Sequence, residues 1–278
     1  MSGRLWGEDP ALLAALGAPV EELAALEEDL VAGLGLPEAE RWDAHAHLGC
    51  DADGHALAPE GLLADLDRRG FAGAVCFPAN EPGEDGQFAG ANRRVLEAAA
   101  RSGGRLVPFC RLDPGLPWAE PLAAVAGAGA CGLKLHPIAQ RFRPEDKACV
   151  ALVRKVTEFG WPVLIHAGYG ARPLAGPIET LLASAPGARL ILAHGARGDA
   201  RAVLQRLGDR DDVMFDTSLA ALPDLVGIRP ERLCLGADRP YGEHATALQL
   251  VALAARVAGW GEDQLRGVLG ANVRRWLP

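Results

Sequence analysis

Along this chain short apolar runs alternate with stretches of helical spacing, and the alternation repeats. From Arg41 onward an apolar run gives way to a loop rich in Gly, Pro or Asp, then to a helix-compatible stretch, then to the next apolar run. Eight such runs can be read: WDAHAHLG, AGAVCFPA, LVPFCRLD, CGLKLHP, PVLIHAG, LILAHGA, VMFDTS and LCLGAD. Between them lie segments such as PEGLLADLDRRG, and DKACVALVRKVTEF, in which Cys149, Leu152, Val153 and Val156 share one helical face. Nearly continuous apolar strands alternating with helices predict a parallel sheet covered on its outer face. Eight of them predict an α/β fold, a (β/α)8 TIM barrel. An open doubly wound sheet would carry a Gly-rich phosphate loop after its first strand, and DAHAHLG stands there instead. Only LAALPDLVGIRPER separates the last two runs, so the helix between them must be short.

Ahead of the first run, residues 10–35 carry an amphipathic helical pattern that places Leu23, Leu26, Leu30, Val31 and Leu34 on one face, closed by Gly35 and Pro37. The expectation is a helical leader, residues 1–40, packed on the exterior or bottom of the barrel, followed by a single domain over residues 41–278. No linker or low-complexity stretch divides the chain further.

Composition narrows the partners. The 278 residues suit a barrel of about 250, and no apolar run nears the roughly 18 residues of a membrane span. Acidic residues outnumber basic ones by 36 to 28 without any Lys/Arg block, so a phosphate-backbone footprint is missing and nucleic acid is not an expected partner. The start, MSGRLWGEDP, lacks the basic-then-apolar plan of a secretory signal, and a cytoplasmic protein is expected. Six cysteines without a Cys-x-x-Cys pair read as small buried hydrophobes rather than thiolate ligands. No partner surface is legible, which leaves a homo-oligomer open.

Polar groups able to hold metal or move protons fall at the C-terminal ends of the apolar runs: His45 and His47, Lys134 and His136, His166, His194, and Asp238. In a (β/α)8 barrel that rim is where catalytic groups from different strands meet. His45 and His47, two apart on a strand, face the same side of the sheet. Neutral imidazoles suit zinc and comparable divalent metals, and catalytic sites commonly use three protein ligands plus an exchangeable water. His166 supplies a third ligand, and Asp238 completes the shell while taking a proton from water. Each residue alone reads more readily as hydrogen-bonded structure than as a ligand; the joint pattern points to a metal site. His194 either binds a second metal or stays free to polarise a carbonyl or hold the water. Lys134, which shares parity with His136, either binds a substrate carboxylate as an ammonium or, carboxylated, bridges two metals; we expect the ammonium and one ion. His136, Arg172 and Tyr241 are further candidates to touch substrate, as is Tyr169. Asp43, two residues before His45, is either a hydrogen-bonding support or purely structural.

These motifs resemble the amidohydrolase superfamily, within it the amidohydrolase-related group that includes the aminocarboxymuconate-semialdehyde decarboxylase-like proteins. GLKLHP, PVLIHAG, LILAHGA, LGADRPYG and the terminal LGANVRRWL carry the likeness from DAHAHLG onward. The resemblance implies that His45, His47 and His166 bind metal, that Asp238 binds it or shuttles protons, and that His194 assists. It leaves the reaction open: hydrolysis of a small ester, lactone or amide is expected first, decarboxylation of a small unsaturated or aromatic acid second, and a catalytically silent ligand-binding barrel third.

Overall fold

The computed structural model describes residues 10–84 and 86–278; the start of the leader, including the stretch on which the absence of a signal was read, lies outside them. Nine strands make one sheet in the order β2-β1-β3-β4-β5-β6-β7-β8-β9. They are β1 (Arg41–Cys50), β2 (Ala56–Leu57), β3 (Phe71–Pro78), β4 (Leu106–Arg111), β5 (Gly132–Leu135), β6 (Pro162–Ile165), β7 (Arg189–Leu192), β8 (Val213–Asp216) and β9 (Leu233–Cys234). All pairings are parallel except that of β2, a two-residue strand folded back on the end of β1. The other eight are the eight runs read from the sequence. Beyond β9 the chain returns to β1 through three backbone hydrogen bonds: Ala44 N–H to Leu235 O at 2.8 Å, Asp238 N–H to His45 O at 2.8 Å, and His47 N–H to Arg239 O at 2.7 Å. The sheet is thereby closed into the barrel that the alternation predicts.

The helices are α1 (Pro10–Ala15), α2 (Val20–Ala32), α3 (Pro59–Arg69), α4 (Ala89–Arg101), α5 (Ala119–Gly127), α6 (Lys147–Glu158), α7 (Ala175–Ser184), α8 (Ala200–Leu207), α9 (Leu222–Val226), α10 (His244–Ala258), α11 (Glu262–Arg266) and α12 (Asn272–Arg274). On α6 the predicted face, Cys149, Leu152, Val153 and Val156, is buried. The helix between the last two barrel strands, α9, has five residues, as its short spacer required.

Strand parity separates two apolar clusters. Val75 and Phe77, Val107 and Phe109, Leu164, Ile191 and Met214 form one with Trp42 and Trp276, and fill the barrel. Their neighbours of opposite parity, such as Leu133, Leu135, Val163 and Ile165, join helix residues in the larger one outside. One step further along the inward parity, toward the strand C-termini, stand Arg111, Lys134, His166 and Asp216: the plug is apolar and the rim above it is not. The far end is sealed by the C-terminal turns, where Leu235 N–H reaches Val268 O at 2.8 Å. Gly270 is required there, because a Cβ would stand 2.1 Å from the carbonyl oxygen of Glu40.

The leader differs from its sequence reading. The pattern over residues 10–35 is split in two around Gly17, which takes φ +78°. Leu26 and Leu30 are 50% and 45% exposed, whereas Glu27, a polar residue between Leu23 and Val31 on the same face, is buried. Its carboxylate pairs with the equally buried Arg69 of α3, which also binds Glu28 at 2.7 Å. The packed face is thus centred on the ion pair, with Leu23, Val31 and Leu34 half-buried around it and Leu26 and Leu30 on its open edge. Cys76, Cys110, Cys149 and Cys234 are buried free thiols, as expected; Cys50 is exposed.

Candidate functional site

Three donor atoms meet at the rim. His45 Nε2 lies 3.2 Å from His47 Nε2, and each is 3.1 Å from Asp238 Oδ1. Despite these distances Asp238 Oδ1 makes no properly aligned hydrogen bond, and the three residues are buried. Lone pairs of three buried groups aimed at one point rather than at each other repel unless a cation lies between them. Their spacing matches the roughly 3.3 Å edge of a tetrahedron with bonds of about 2.0–2.1 Å, as for zinc with N and O donors. The chemistry and spacing of the donor set therefore fit a divalent metal.

The backbone is bent to bring these groups together. Asp238 takes φ +59° and His194 φ +61°, a left-handed conformation that costs a non-glycine residue about 1 kcal/mol or more. Each is held by hydrogen bonds: Asp238 through its N–H to His45 O and through the N–H groups of Tyr241 and Gly242, which donate to its carbonyl, and His194 through its N–H to Asp216 Oδ1 at 3.0 Å.

Asp216 organises the tautomers. Its Oδ2 accepts from His45 Nδ1 at 2.8 Å, while its Oδ1 accepts from the N–H groups of His194 and Ser218 and from the Ser218 hydroxyl. Neutral His45 then carries its proton on Nδ1, leaving Nε2 bare toward His47 and Asp238. The same logic runs outward. His194 Nδ1 donates to Ser218 O at 3.0 Å, so its Nε2 accepts from His166 Nδ1 at 3.1 Å and the remaining nitrogen of His166 is bare. His45, His194 and Asp216 also come within metal-binding distance of one another, but direct hydrogen bonds already join them, so we take only the His45, His47, Asp238 group as an ion's cradle.

Charge states follow from burial. Burial pushes His47 down to about 3 and His166 to about 2, and lowers His136 and His194, so these imidazoles are neutral near pH 7. Burial and Lys134 oppose a charge on His45, but Asp238 and Asp216 outweigh them and raise its pKa. Burial works against ionised Asp238 too, yet His45 and His47 hold its carboxyl well below the usual range.

The other sequence candidates divide. His166 is not among the three converging donors; it bonds to His194 and stacks on His136 with ring centroids 3.9 Å apart. His136, His166, His194 and Tyr241 line one cavity of about 540 Å³ with His47 and Asp238. Tyr241 packs edge-on to His47 at 5.4 Å and shares a hydrogen bond with Asp51. Lys134 is away from that wall: its Nζ sits 3.2 Å from His45 Nε2 and 4.6 Å from the centre of the Phe77 ring, and burial pushes it down to about 7. Arg172 is likewise not at the wall; its side chain is 72% exposed and bonds to the Gly198 carbonyl, with Asp199 at 3.9 Å. Loop position alone suggested a substrate contact for Arg172, and the neighbouring loop claims it instead. Asp43 bridges backbone, accepting from His45 N–H and Ala237 N–H at 2.9 Å each and from His244 Nε2 at 2.9 Å.

Sequence reasoning missed Asp216, Ser218 and Arg111. The runs LVPFCRLD and VMFDTS were credited with no rim group, although Arg111 follows Val107 and Phe109, and Asp216 follows Met214, in the inward parity. That alternation was the available signal.

Solved structures share the architecture. The chain resembles 2,6-dihydroxybenzoate decarboxylase from Rhizobium (15% identity, TM-score 0.68, 86% of this chain and 98% of that one). It also resembles a structure described as a putative 2-pyrone-4,6-dicarboxylic acid hydrolase from Pseudomonas putida (20%, 0.62, 86% and 98%). A third is 5-carboxyvanillate decarboxylase from Sphingomonas paucimobilis (18%, 0.62, 80% and 83%). At such identities the likeness is one of fold. Among curated proteins none is significantly similar in sequence. The family model described as amidohydrolase matches residues 42–278, and the chain belongs to the amidohydrolase family.

Proposed function

We propose that the chain is a metal-dependent hydrolase of a small-molecule ester, lactone or amide. The observation that carries this is the convergence of His45 Nε2, His47 Nε2 and Asp238 Oδ1, all within 3.2 Å of one another, at the wall of a cavity of about 540 Å³. His45, His47 and Asp238 would hold the ion, zinc by donor type, and the bare nitrogen of His166 would complete the set. When bound, the ion supplies Lewis acidity, which polarises a carbonyl and acidifies water. Asp238, ionised at neutral pH, accepts the proton of the attacking water and returns it to the leaving oxygen or nitrogen. His194, neutral and with its one proton committed to Ser218, accepts from His166 Nδ1 and so keeps the other nitrogen of His166 bare. Asp216 keeps the proton of His45 on Nδ1 throughout. The division into a leader, residues 1–40, and one catalytic unit, residues 41–278, belongs to the same reading and is supported by the span of the family match.

Decarboxylation of a small acid is the second reading, favoured by two buried cations, Arg111 and Lys134, at the same rim. There Asp238, after taking a proton from water, would deliver it to carbon before carbon dioxide departs. Zinc-loaded protein assayed against lactone, ester and carboxylate panels in ¹⁸O-water separates the two. Label in the organic product supports hydrolysis, and release of carbon dioxide with an unlabelled organic product rejects it for decarboxylation. In either case Asp238→Asn should lower kcat by about 10²–10⁴-fold; unchanged turnover would remove Asp238 from the chemistry.

A further inference from the structure

Arg111 is the one cation on the cavity wall, among the described residues, that is almost wholly buried, with 1% of its surface exposed. It sits at the end of β4, in register with Lys134 on β5. Its backbone is clamped by α4: its N–H donates to Asn92 Oδ1 and its carbonyl accepts from Asn92 Nδ2, at 2.8 Å each. The guanidinium, by contrast, is poorly matched. One terminal nitrogen reaches Asn80 Oδ1 at 3.3 Å, the Phe88 ring centre is 4.6 Å away, and Nε has no partner. No carboxylate of the described residues pairs with it. Burial pulls it down to about 10, so it stays charged at neutral pH.

Holding an unpaired cation in a buried place is unfavourable, and a planar fork fixed from behind suits a carboxylate. The other arginine at this cavity, Arg197, is differently engaged: it lies 4.5 Å over the Tyr169 ring and bonds to Leu219 O at 2.9 Å. We propose that Arg111, with Asn80 beside it, is an anion subsite that receives a carboxylate of the substrate, distinct from the group that reacts beside His47 and Asp238. The substrate is then a small acid with a second, reactive function: an ester, lactone or amide for hydrolysis, or another carboxylate for decarboxylation. This rests on the proposed active site being the place where substrate binds.

The test uses benzoate and its neutral counterpart benzamide as probes, titrated calorimetrically into zinc-loaded protein and again after the metal is removed by chelation. Wild type should prefer benzoate by about 10- to 100-fold in both states. Arg111→Gln should abolish the preference with zinc affinity kept, and Arg111→Lys, which keeps charge but loses the fork, should weaken it. Equal binding of the two probes by wild type, or a preference that survives in folded Arg111→Gln, overturns the proposal. Should Arg111→Gln not fold, Arg111→Lys decides: an undiminished preference overturns it, and a weakened one supports it. Turnover of Asp238→Asn is scored separately, so that failure of the enzyme reading leaves a distinct signature from failure of the subsite.

Discussion

Replacing Asp216 by Asn alters one atom and should disarm the metal cradle. Oδ1 of Asp216 receives three donors, from His194 N–H, Ser218 N–H and the Ser218 hydroxyl. In Asp216→Asn those donors hold the amide oxygen in that place, which turns the NH₂ toward His45 Nδ1, 2.8 Å away. A donor there obliges His45 to accept on Nδ1 and move its proton to Nε2, the atom that faces His47 and Asp238. Loss of a supporting partner of this kind usually weakens metal binding by about 10–100-fold. Because the tautomer itself is reversed, we expect the upper end, about 100-fold, or roughly 2.7 kcal/mol at about 1.4 kcal/mol per decade. Zinc affinity measured by competition with a chromophoric chelator gives the magnitude, and circular dichroism establishes that the fold persists. Nitrogen-15 shifts of the His45 ring report where the proton sits. A folded variant with affinity within about twofold of wild type, or with the His45 proton still on Nδ1, would refute the reasoning.

Glu27→Gln removes one partner of a buried ion pair while Arg69 keeps Glu28, and should cost about 2 kcal/mol in urea unfolding, a value consistent with the leader being part of the cooperative unit; an unchanged midpoint would show it to be dispensable. Gly168→Ala places a Cβ 2.9 Å from both His166 Cε1 and His194 Cδ2. Spreading that pair should lower kcat by about tenfold to a hundredfold with little change in melting temperature, and undiminished turnover would argue against a role for the pair. In metal-free protein, Lys134 is pushed down to about 7 from 10.5 by burial. Between those values the unfolded chain binds a proton that the folded chain does not, so stability should rise with pH across the window, the penalty being complete below about pH 7. Lys134→Met should flatten this slope, and identical slopes in urea titrations of the two proteins would contradict the assignment.

What was legible in the sequence follows from periodicity. The eight apolar runs became the eight barrel strands because a strand buried on both faces leaves no room for polar residues except at its ends. The same constraint made His45, His47 and Asp238 conspicuous. The leader shows where periodicity stops informing: Leu26 and Leu30 belong to a good helical stripe, yet the buried face is centred on an ion pair between Glu27 and Arg69, 42 residues apart, which leaves those two leucines at its exposed edge. Nothing within the leader announces Arg69.

Asp216 and Arg111 were missed for a different reason, and it bears on how such sites are read. Metal-type residues attract notice by identity, so a rim histidine counts at once while a rim aspartate or arginine passes as solvent-facing. Parity corrects the bias. In β8 the inward series ends Met214, Asp216, and in β4 it ends Val107, Phe109, Arg111; a charged side chain at the end of an inward series has the barrel plug beneath it. Such a group must find a partner inside the site or await one. Asp216 finds His45 at 2.8 Å and fixes the tautomer on which metal binding depends. Arg111 finds only Asn80 at 3.3 Å, and the unmet part of its charge is the reason to look for an anion in the substrate.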